Sequence, residues 1–323
     1  MPRVIRIERT GAPEVMEWIE LPTPTPGPGE VLLRQTAIGL NFVDVYQRTG
    51  LYPTPMPAVL GSEAAGVVET VGDGVTTVKA GDRVVYTGVN GAYAEARLVP
   101  AQKLIRLPDS IDDRTAAASL LKGTTVQFLL QRTFKVGREH TILFHAAAGG
   151  VGTIACQWAK ALGATVIGTV GSPEKRDIAL KYGCDHVINY CTENFVERVK
   201  EITGGAGVDV VYDSVGNDTF PGSLDCLKPL GMWASFGNSS GLVPPFPIRL
   251  LQQKGSLFAT RPTSAHYLAK RSEIEAAAAA LFAVLTDGSV KVEIGQTFAL
   301  KDAALAHSAL EERRTVGATV LLP

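Results

Sequence analysis

Only four cysteines occur in the 323 residues, at 156, 184, 191 and 226, with no CxxC pair. So few argue against a disulfide framework and for reduced thiols, and the first 155 residues have no thiolate at all. The five histidines (140, 145, 186, 266 and 307) are scattered, with no HExxH pair. Zinc needs clustered thiolate or imidazole ligands, so no metal site is expected. Long apolar runs are also missing. The longest, Ala276 to Leu285, is ten residues, too short to span a bilayer. Neither sign of charge dominates, with 31 basic and 32 acidic residues and a net charge of −1. Without a lysine run or a basic stripe interleaved with aromatics, no nucleic-acid partner is expected. Met1-Pro2-Arg3-Val4-Ile5-Arg6 carries no signal-peptide core. What is present is a hydrophobic fraction of 46%, that of a chain with sizeable cores, at a length suiting about two domains. These bounds predict a cytoplasmic protein with no membrane segment.

The texture of the chain changes near Leu121. Before it, short apolar or alternating runs (Val31–Leu33, Ala65–Val71, Arg83–Tyr86, Tyr93–Val99) are separated by turn residues, as in a small barrel or sandwich. Pro22-Thr-Pro-Thr-Pro-Gly-Pro-Gly29 cannot hold a helix and reads as an extended connector. From Thr141 onward, apolar strand-like runs alternate with helical patterns. Strands are expected at Ile142–Ala147, Thr165–Val170, His186–Ile188, Val208–Asp213, Met232–Phe236 and Ser256–Thr260. Helices are expected at Val151–Leu162, Glu174–Tyr182, Glu193–Ile202, near Asp218–Leu227, and from about Tyr267 to Leu285. Apolar strands between amphipathic helices mean a parallel sheet covered on both faces. The tail adds strand-like Val292–Phe298, helix Asp302–Glu312 and strand Val316–Leu322. The fold class is therefore α/β, a β-rich domain followed by a doubly wound one.

The strongest local signal is Leu143-Phe-His-Ala-Ala-Ala-Gly-Gly-Val-Gly152. It is the dinucleotide fingerprint with alanine at its first glycine: Ala147, Gly149, Gly152. Gly149 lets the backbone approach a pyrophosphate, Gly152 lets helix and strand pack closely, and the helix amides point at the phosphates. A lone pattern is weak, but here it lies between an expected strand and an expected helix. About twenty residues later a cofactor without a 2′-phosphate would meet Asp or Glu. The chain reads Thr169-Val-Gly-Ser-Pro-Glu-Lys175 instead. Ser172 and Lys175 suit a phosphate monoester and favour NADPH, while Glu174, able to bond a ribose, leaves NADH open. A decoy lies at Gly237-Asn-Ser-Ser-Gly241, which fits the GxSxG nucleophile pattern. That elbow must turn straight into a helix, and Leu242-Val-Pro-Pro-Phe-Pro247 forbids one. His145 reads as a packed core histidine.

With these residues in view, the chain resembles the medium-chain dehydrogenases/reductases, and among them the zinc-free NADPH:quinone oxidoreductases that include zeta-crystallin. The likeness runs from Gly11-Ala-Pro-Glu-Val15 to the last strand. It is carried by Ile38-Gly-Leu-Asn-Phe-Val-Asp44, Gly61-Ser-Glu63, Ala80-Gly-Asp-Arg-Val84, Ala146–Gly152, Asp213-Ser-Val-Gly216 and Phe236–Gly241. Asn41 through Tyr52 and Asn189-Tyr190 point to the bacterial branch. The resemblance implies a GroES-like catalytic domain (1–124), a Rossmann NADPH-binding domain (125–264) and a segment (265–323) returning to the first. Zinc-dependent relatives would carry a cysteine ligand at Asn41 and a histidine ligand at Ser62, so it also implies hydride transfer without a metal.

By the same resemblance Asn41, Tyr46 and Tyr52 serve catalysis, an amide and phenols able to hydrogen-bond a quinone carbonyl. Packing alone is the competing role for both tyrosines. Asn41, Phe42, Asp44, Thr124, Gly149, Gly150, Val151, Gly152, Ser172, Lys175 and Tyr190 are the first group of cofactor contacts. Ser214, Gly216, Phe236, Gly237, Ser239, Ser240, Arg261 and Arg313 complete them, with Arg314 competing for the role of Arg313. The expected activity is reduction of quinones by NADPH. The alternatives are an enone or enoyl-thioester reductase, and a nucleotide-sensing structural or RNA-binding protein like some crystallin relatives. A homodimer through the edge of the Rossmann sheet is also expected.

Overall fold

We describe residues 1–323 in a computed structural model. Its first compact unit is Met1–Thr124 with Lys270–Thr286 and Val292–Pro323; the second is Thr125–Ala269 with Asp287–Lys291. Residues 270–286 and 292–323 thus group with the first unit, and residues 287–291 with the second.

In chain order the first unit opens with β1 (Arg3–Ile7), β2 (Glu17–Glu20), β3 (Glu30–Leu40), α1 (Phe42–Thr49), β4 (Ala58–Val59) and β5 (Glu63–Val71). It continues with β6 (Arg83–Thr87), β7 (Ala96–Pro100), β8 (Ile105–Arg106) and α2 (Asp113–Phe128). The second unit holds β9 (Thr141–Phe144), α3 (Gly150–Ala161), β10 (Thr165–Val170), α4 (Pro173–Lys181), β11 (His186–Asn189) and α5 (Phe195–Ile202). It then adds β12 (Val208–Asp213), α6 (Gly222–Asp225), β13 (Leu227–Ser235), α7 (Arg249–Gln253), β14 (Phe258–Thr260) and α8 (Ser264–Tyr267). The return consists of α9 (Arg271–Thr286), β15 (Ile294–Ala299), α10 (Ala303–Glu311) and β16 (Ala318–Leu322).

β3 organises the first unit. It pairs antiparallel with β5, β7 and β16, in a sheet ordered β15-β16-β3-β5-β6-β8, while β2-β1-β4 form a small second sheet. Ile5, Leu33, Ile38, Val84, Tyr86 and Leu321 are fully enclosed in its core. Each large apolar side chain so buried stabilises the fold by about 1.5–3 kcal/mol before entropy is counted. The final strand therefore completes the first sheet, which is why the chain must return.

The second unit is a six-stranded parallel sheet ordered β11-β10-β9-β12-β13-β14. Numbered within the unit, that order is 3-2-1-4-5-6, the dinucleotide-binding arrangement. Every residue of β12 is buried, as expected of a central strand covered on both faces. The strand order reverses between β9 and β12, and in open α/β sheets ligands bind beyond the carboxyl ends at that switch point. The residues following β9 and β12 therefore flank the switch point. No helix is long and apolar enough to cross a membrane.

β10 and β12 have the bounds read from sequence. Two helices do not follow that reading: α1 and α2 lie in the stretch expected to be only β-rich. The helix near Asp218–Leu227 shrinks to one turn after Pro221, and the alanine-rich helix starts only at Arg271, separate from α8.

Candidate active site

The second unit carries a cradle at the tips of β9 and β12. Beyond β9 the chain turns through Ala146, whose φ is 56°, and enters α3 with Gly149 as N-cap. Gly150, Val151 and Gly152 form the first turn, where main-chain N–H groups have no partner within the helix. A Cβ on Gly152 would stand 2.4 Å from the Ala146 carbonyl oxygen and 2.6 Å from that of Ala147, so only glycine fits. On Gly149 the nearest atom would be 3.2 Å away. Its missing side chain leaves the backbone open to a ligand. The turn is anchored by the Ala147 N–H donating to Thr169 on β10 at 3.0 Å. Such a turn fits the pyrophosphate of a dinucleotide.

At the tips of β10 and β11 lie Gly171, Ser172, Lys175, Tyr190 and Cys191. A side chain on Gly171 would meet the Tyr190 hydroxyl at 2.5 Å, and the Cys191 thiol donates to the Gly171 carbonyl at 3.3 Å. Ser172 is the N-cap of α4, its Oγ accepting the Lys175 N–H at 3.3 Å. Its hydroxyl also bonds Glu174, the main cause holding that exposed carboxyl below its usual range. The half-exposed Tyr190 and the Lys175 position thus frame a site suited to a phosphate, with Glu174 its nearest acidic neighbour in sequence.

Beyond β12, Ser214–Gly216 and the segment Phe236–Gly241 are zipped together. Ser239 N–H donates to the Ser214 carbonyl at 3.2 Å and Ser240 N–H to that of Val215 at 2.9 Å. Gly216 has a φ of 94°, and a Cβ there would stand 2.5 Å from the Gly241 carbonyl. Gly237 is as constrained, 2.5 Å from the Ser214 carbonyl. The Ser240 hydroxyl is held by Val215 and Asp218. Ser239 holds the serine position of the GxSxG pattern, but no helix follows it until Arg249, so this is not a nucleophile elbow. Arg261, expected as a clamp on the cofactor, directs Nη1 to the carbonyls of Ser235 (2.9 Å) and Gly237 (3.1 Å). It holds the loop.

The first unit, taken by itself, contains a buried polar cluster around the start of α1. Asn41 is the N-cap of α1, and its N–H donates to Asp44 at 2.9 Å. Its amide Nδ2 donates to Glu63 at 3.0 Å and to the Gly39 carbonyl at 3.3 Å. Both amide protons are thereby committed, so Asn41 can offer a ligand an acceptor but not a donor. Glu63 is fully buried and also accepts from Lys122 Nζ at 3.3 Å and from the Leu121 N–H. Asp44, expected at the cofactor, is fully buried. Its enclosed carboxylate accepts from Ser62 (2.7 Å) and Tyr93 (3.1 Å), and burial raises its pKa to about 6 against those bonds. Thr124 is buried too, its hydroxyl donating to the Leu120 carbonyl of its own helix at 2.7 Å.

Phe42, Tyr46 and Tyr52 form an aromatic run, with ring centroids 5.9 Å apart for the first pair and 5.1 Å for the second. Tyr46 is buried, Tyr52 half-exposed. Arg313 follows α10 with a φ of 59°, and the neighbouring Arg314 pairs with Glu312 at 2.5 Å. No group of three or more His, Cys, Asp or Glu side chains is placed to hold a metal ion. Sequence reasoning missed Glu63, Lys122 and Asp213 as functional candidates. The first and last stood within the recognised segments but had no evident partner.

Residues 27–109 match the family described as "Alcohol dehydrogenase GroES-like domain", and residues 150–282 match "Zinc-binding dehydrogenase". The chain is 52% identical to a quinone oxidoreductase of Pseudomonas aeruginosa, covering all of both chains. It is 49% identical to a 2-haloacrylate reductase of a Burkholderia species, covering 98% of each. The solved structure of Escherichia coli quinone oxidoreductase complexed with NADPH superposes with a TM-score of 0.97, at 50% identity and full coverage of both chains. Parallel-sheet order, glycine turn and full-length identity agree: the chain belongs to the quinone oxidoreductase family of the medium-chain dehydrogenases/reductases.

Proposed function

We infer that this chain is an NADPH-dependent reductase acting on quinones. The observation that carries the reading is the glycine turn at the switch point, in which Gly152 admits no side chain, within a chain half identical to quinone oxidoreductases along its whole length. When bound, NADPH supplies the hydride. The amides of Gly150, Val151 and Gly152 meet its pyrophosphate, and Ser172, Lys175 and Tyr190 its adenosine-phosphate end. Ser214, Gly216, Phe236, Gly237, Ser239 and Ser240 line the nicotinamide half. A quinone accepts hydride readily and leaves a phenolate-like oxygen that solvent protonates, so no Lewis acid is required. In this reading Tyr46 and Tyr52 are the residues that hydrogen-bond a quinone carbonyl, as the family resemblance implies. The 2-haloacrylate reductase relative favours a second reading, hydride delivery to an activated carbon–carbon double bond. The protein is read as cytoplasmic and homodimeric.

Stopped-flow oxidation of NADPH against a quinone panel and a 2-enone panel separates the two readings. Faster turnover of enones across the panel would replace the first reading by the second. Activity should survive exhaustive chelation; one stoichiometric zinc in elemental analysis would refute the metal-free mechanism.

A further inference from the structure

At the tip of β12 the second unit buries a carboxylate that makes no ion pair. Asp213 is fully enclosed and is held instead by hydrogen-bond donors. Oδ1 accepts the N–H groups of Val215 (2.9 Å) and Gly216 (3.1 Å). Oδ2 accepts the hydroxyls of Thr219 and Ser223, both at 2.8 Å, and the Trp233 indole N–H at 3.2 Å. Its own carbonyl takes the N–H groups of Phe236 (2.7 Å) and Gly237 (3.3 Å). One residue therefore anchors both loops beyond β12 and β13. Burial pushes its carboxyl up, but the hydrogen bonds from the two hydroxyls and the Val215 N–H hold it below the usual range.

The network reaches the glycine turn. His145 directly precedes Ala146, and its Nε2 lies 3.1 Å from Ser223 Oγ, its Nδ1 2.9 Å from Thr169 Oγ1. Burial lowers the imidazole pKa, against the Asp213 charge, and favours the neutral ring. When Ser223 gives its proton to Asp213, the nearer of its two acceptors, its oxygen accepts from His145 Nε2–H and Nδ1 accepts from Thr169. The donors all run toward Asp213, each polarising the next. In a nucleophilic triad the histidine would take the serine proton and the carboxylate would orient the histidine. Here Ser223 stands between them, so this is no hydrolase site.

We propose that Asp213 is the positioning residue of the nucleotide cradle, fixing the Ser214–Gly216 loop directly and, through Ser223, the tautomer of His145 at the root of the glycine turn. The proposal rests on the NADPH reading above. An unpaired charge enclosed by neutral donors can do this because relaxing any of them leaves the carboxylate undersolvated.

NADPH fluorescence titration and steady-state quinone kinetics test it. Asp213→Asn puts an amide where two opposed donor sets converge, and should raise the NADPH dissociation constant tenfold or more. The Michaelis constant for NADPH should rise by a larger factor than turnover falls. Thr219→Val should shift affinity in the same direction by a smaller factor, and Thr219→Ser should restore it. Nitrogen-15 spectra should show wild-type His145 as the neutral Nε2–H tautomer, perturbed in Asp213→Asn. If Asp213→Asn does not fold, the Thr219 pair decides. Folded variants binding NADPH within twofold of wild type, or a wild-type His145 protonated on Nδ1, would overturn the proposal. Wild-type protein that fails to bind NADPH sinks the cofactor reading itself, before any variant is made.

Discussion

Lys175 and Asp44 are two charged residues whose roles separate by exposure. Lys175 stands in the first turn of α4, beside the Ser172 cap and at the strand tips that carry Tyr190. If it meets a 2′-phosphate, Lys175→Ala should weaken NADPH by about 1–3 kcal/mol and leave NADH nearly unchanged. Parallel titrations check this, and equal weakening of both would remove the assignment. Asp44 acts on stability. Burial raises its pKa from 3.8 to about 6, opposed by Ser62, the Asn41 N–H, Tyr93 and the Lys122 charge. A raised carboxyl contributes stability that is fully present below pH 4 and lost as pH rises through 6, on the order of 3 kcal/mol. His307, bonded to the same Tyr93 hydroxyl at 2.9 Å, has the opposite sign. Burial and then Arg48 lower its pKa to about 3, so its contribution is present above pH 6.5 and lost as pH falls toward 3. Between pH 4 and 6 the two slopes oppose one another. Asp44→Asn removes one of them and should steepen the loss of stability on acidification, read from urea midpoints at pH 4.5 and 6.5. A variant whose midpoints move in parallel with wild type would show that Asp44 does not titrate in this range.

The turn between β9 and α3 shows how an element is built around a missing atom. Gly152→Ala drives a Cβ into two carbonyl oxygens at 2.4 and 2.6 Å, neither of which can yield without opening the turn. It should cost about 1–3 kcal/mol of stability and at least tenfold in NADPH affinity. Gly149→Ala meets only one atom, at 3.2 Å, and should spare thermal stability while still obstructing the pyrophosphate. Melting curves paired with titrations distinguish them, and equal melting temperatures for both variants would contradict the packing argument. This element was legible in sequence because its constraint is local: strand, turn and helix follow one another within twelve residues. The same holds for β10 and β12, short β-branched runs with turn residues at either end. α1 was not legible, because Phe42-Val-Asp-Val-Tyr46 is rich in β-branched and aromatic residues that suit strands as well. It is made a helix by the Asn41–Asp44 cap, the Gly50 stop and the Arg48–Glu311 pair at 2.7 Å, whose members lie 263 residues apart. α2 carries a fully buried Ala116–Ala118 run, so it lacks the polar face that makes a helix visible as a period. Glu63 and Lys122 escaped for a related reason, since nothing in a linear chain joins positions 59 residues apart. The bonding of the buried Asp44 likewise depends on Ser62 and Tyr93, which only the fold brings to it.

Assembly is the property of the whole molecule that the second unit's sheet bears on most directly. β14 ends that sheet, and an edge strand left bare offers unpaired N–H and C=O groups to other chains. Proteins commonly guard such an edge with charge, and Lys254 and Arg261 flank this one. Lys254, however, is bonded to Asp225, and Arg261 reaches the carbonyls of Ser235 and Gly237. Within the strand region Leu257 is already part of the core, whereas Phe258 is 58% exposed. Phe258 pairs with Met232 on β13, and Leu230, two residues earlier on that strand, is 67% exposed. A bare edge with outward apolar side chains is relieved most simply by a twofold-related copy, which continues the sheet and closes the assembly. Phe258→Lys should therefore convert a homodimer to monomers while leaving each chain folded, because the side chain it alters is not in the core. Sedimentation velocity at micromolar concentration checks both species, with circular dichroism confirming the fold of the variant. A wild-type chain that sediments as a monomer would refute the homodimer, and a Phe258→Lys variant that remains dimeric would move the interface elsewhere.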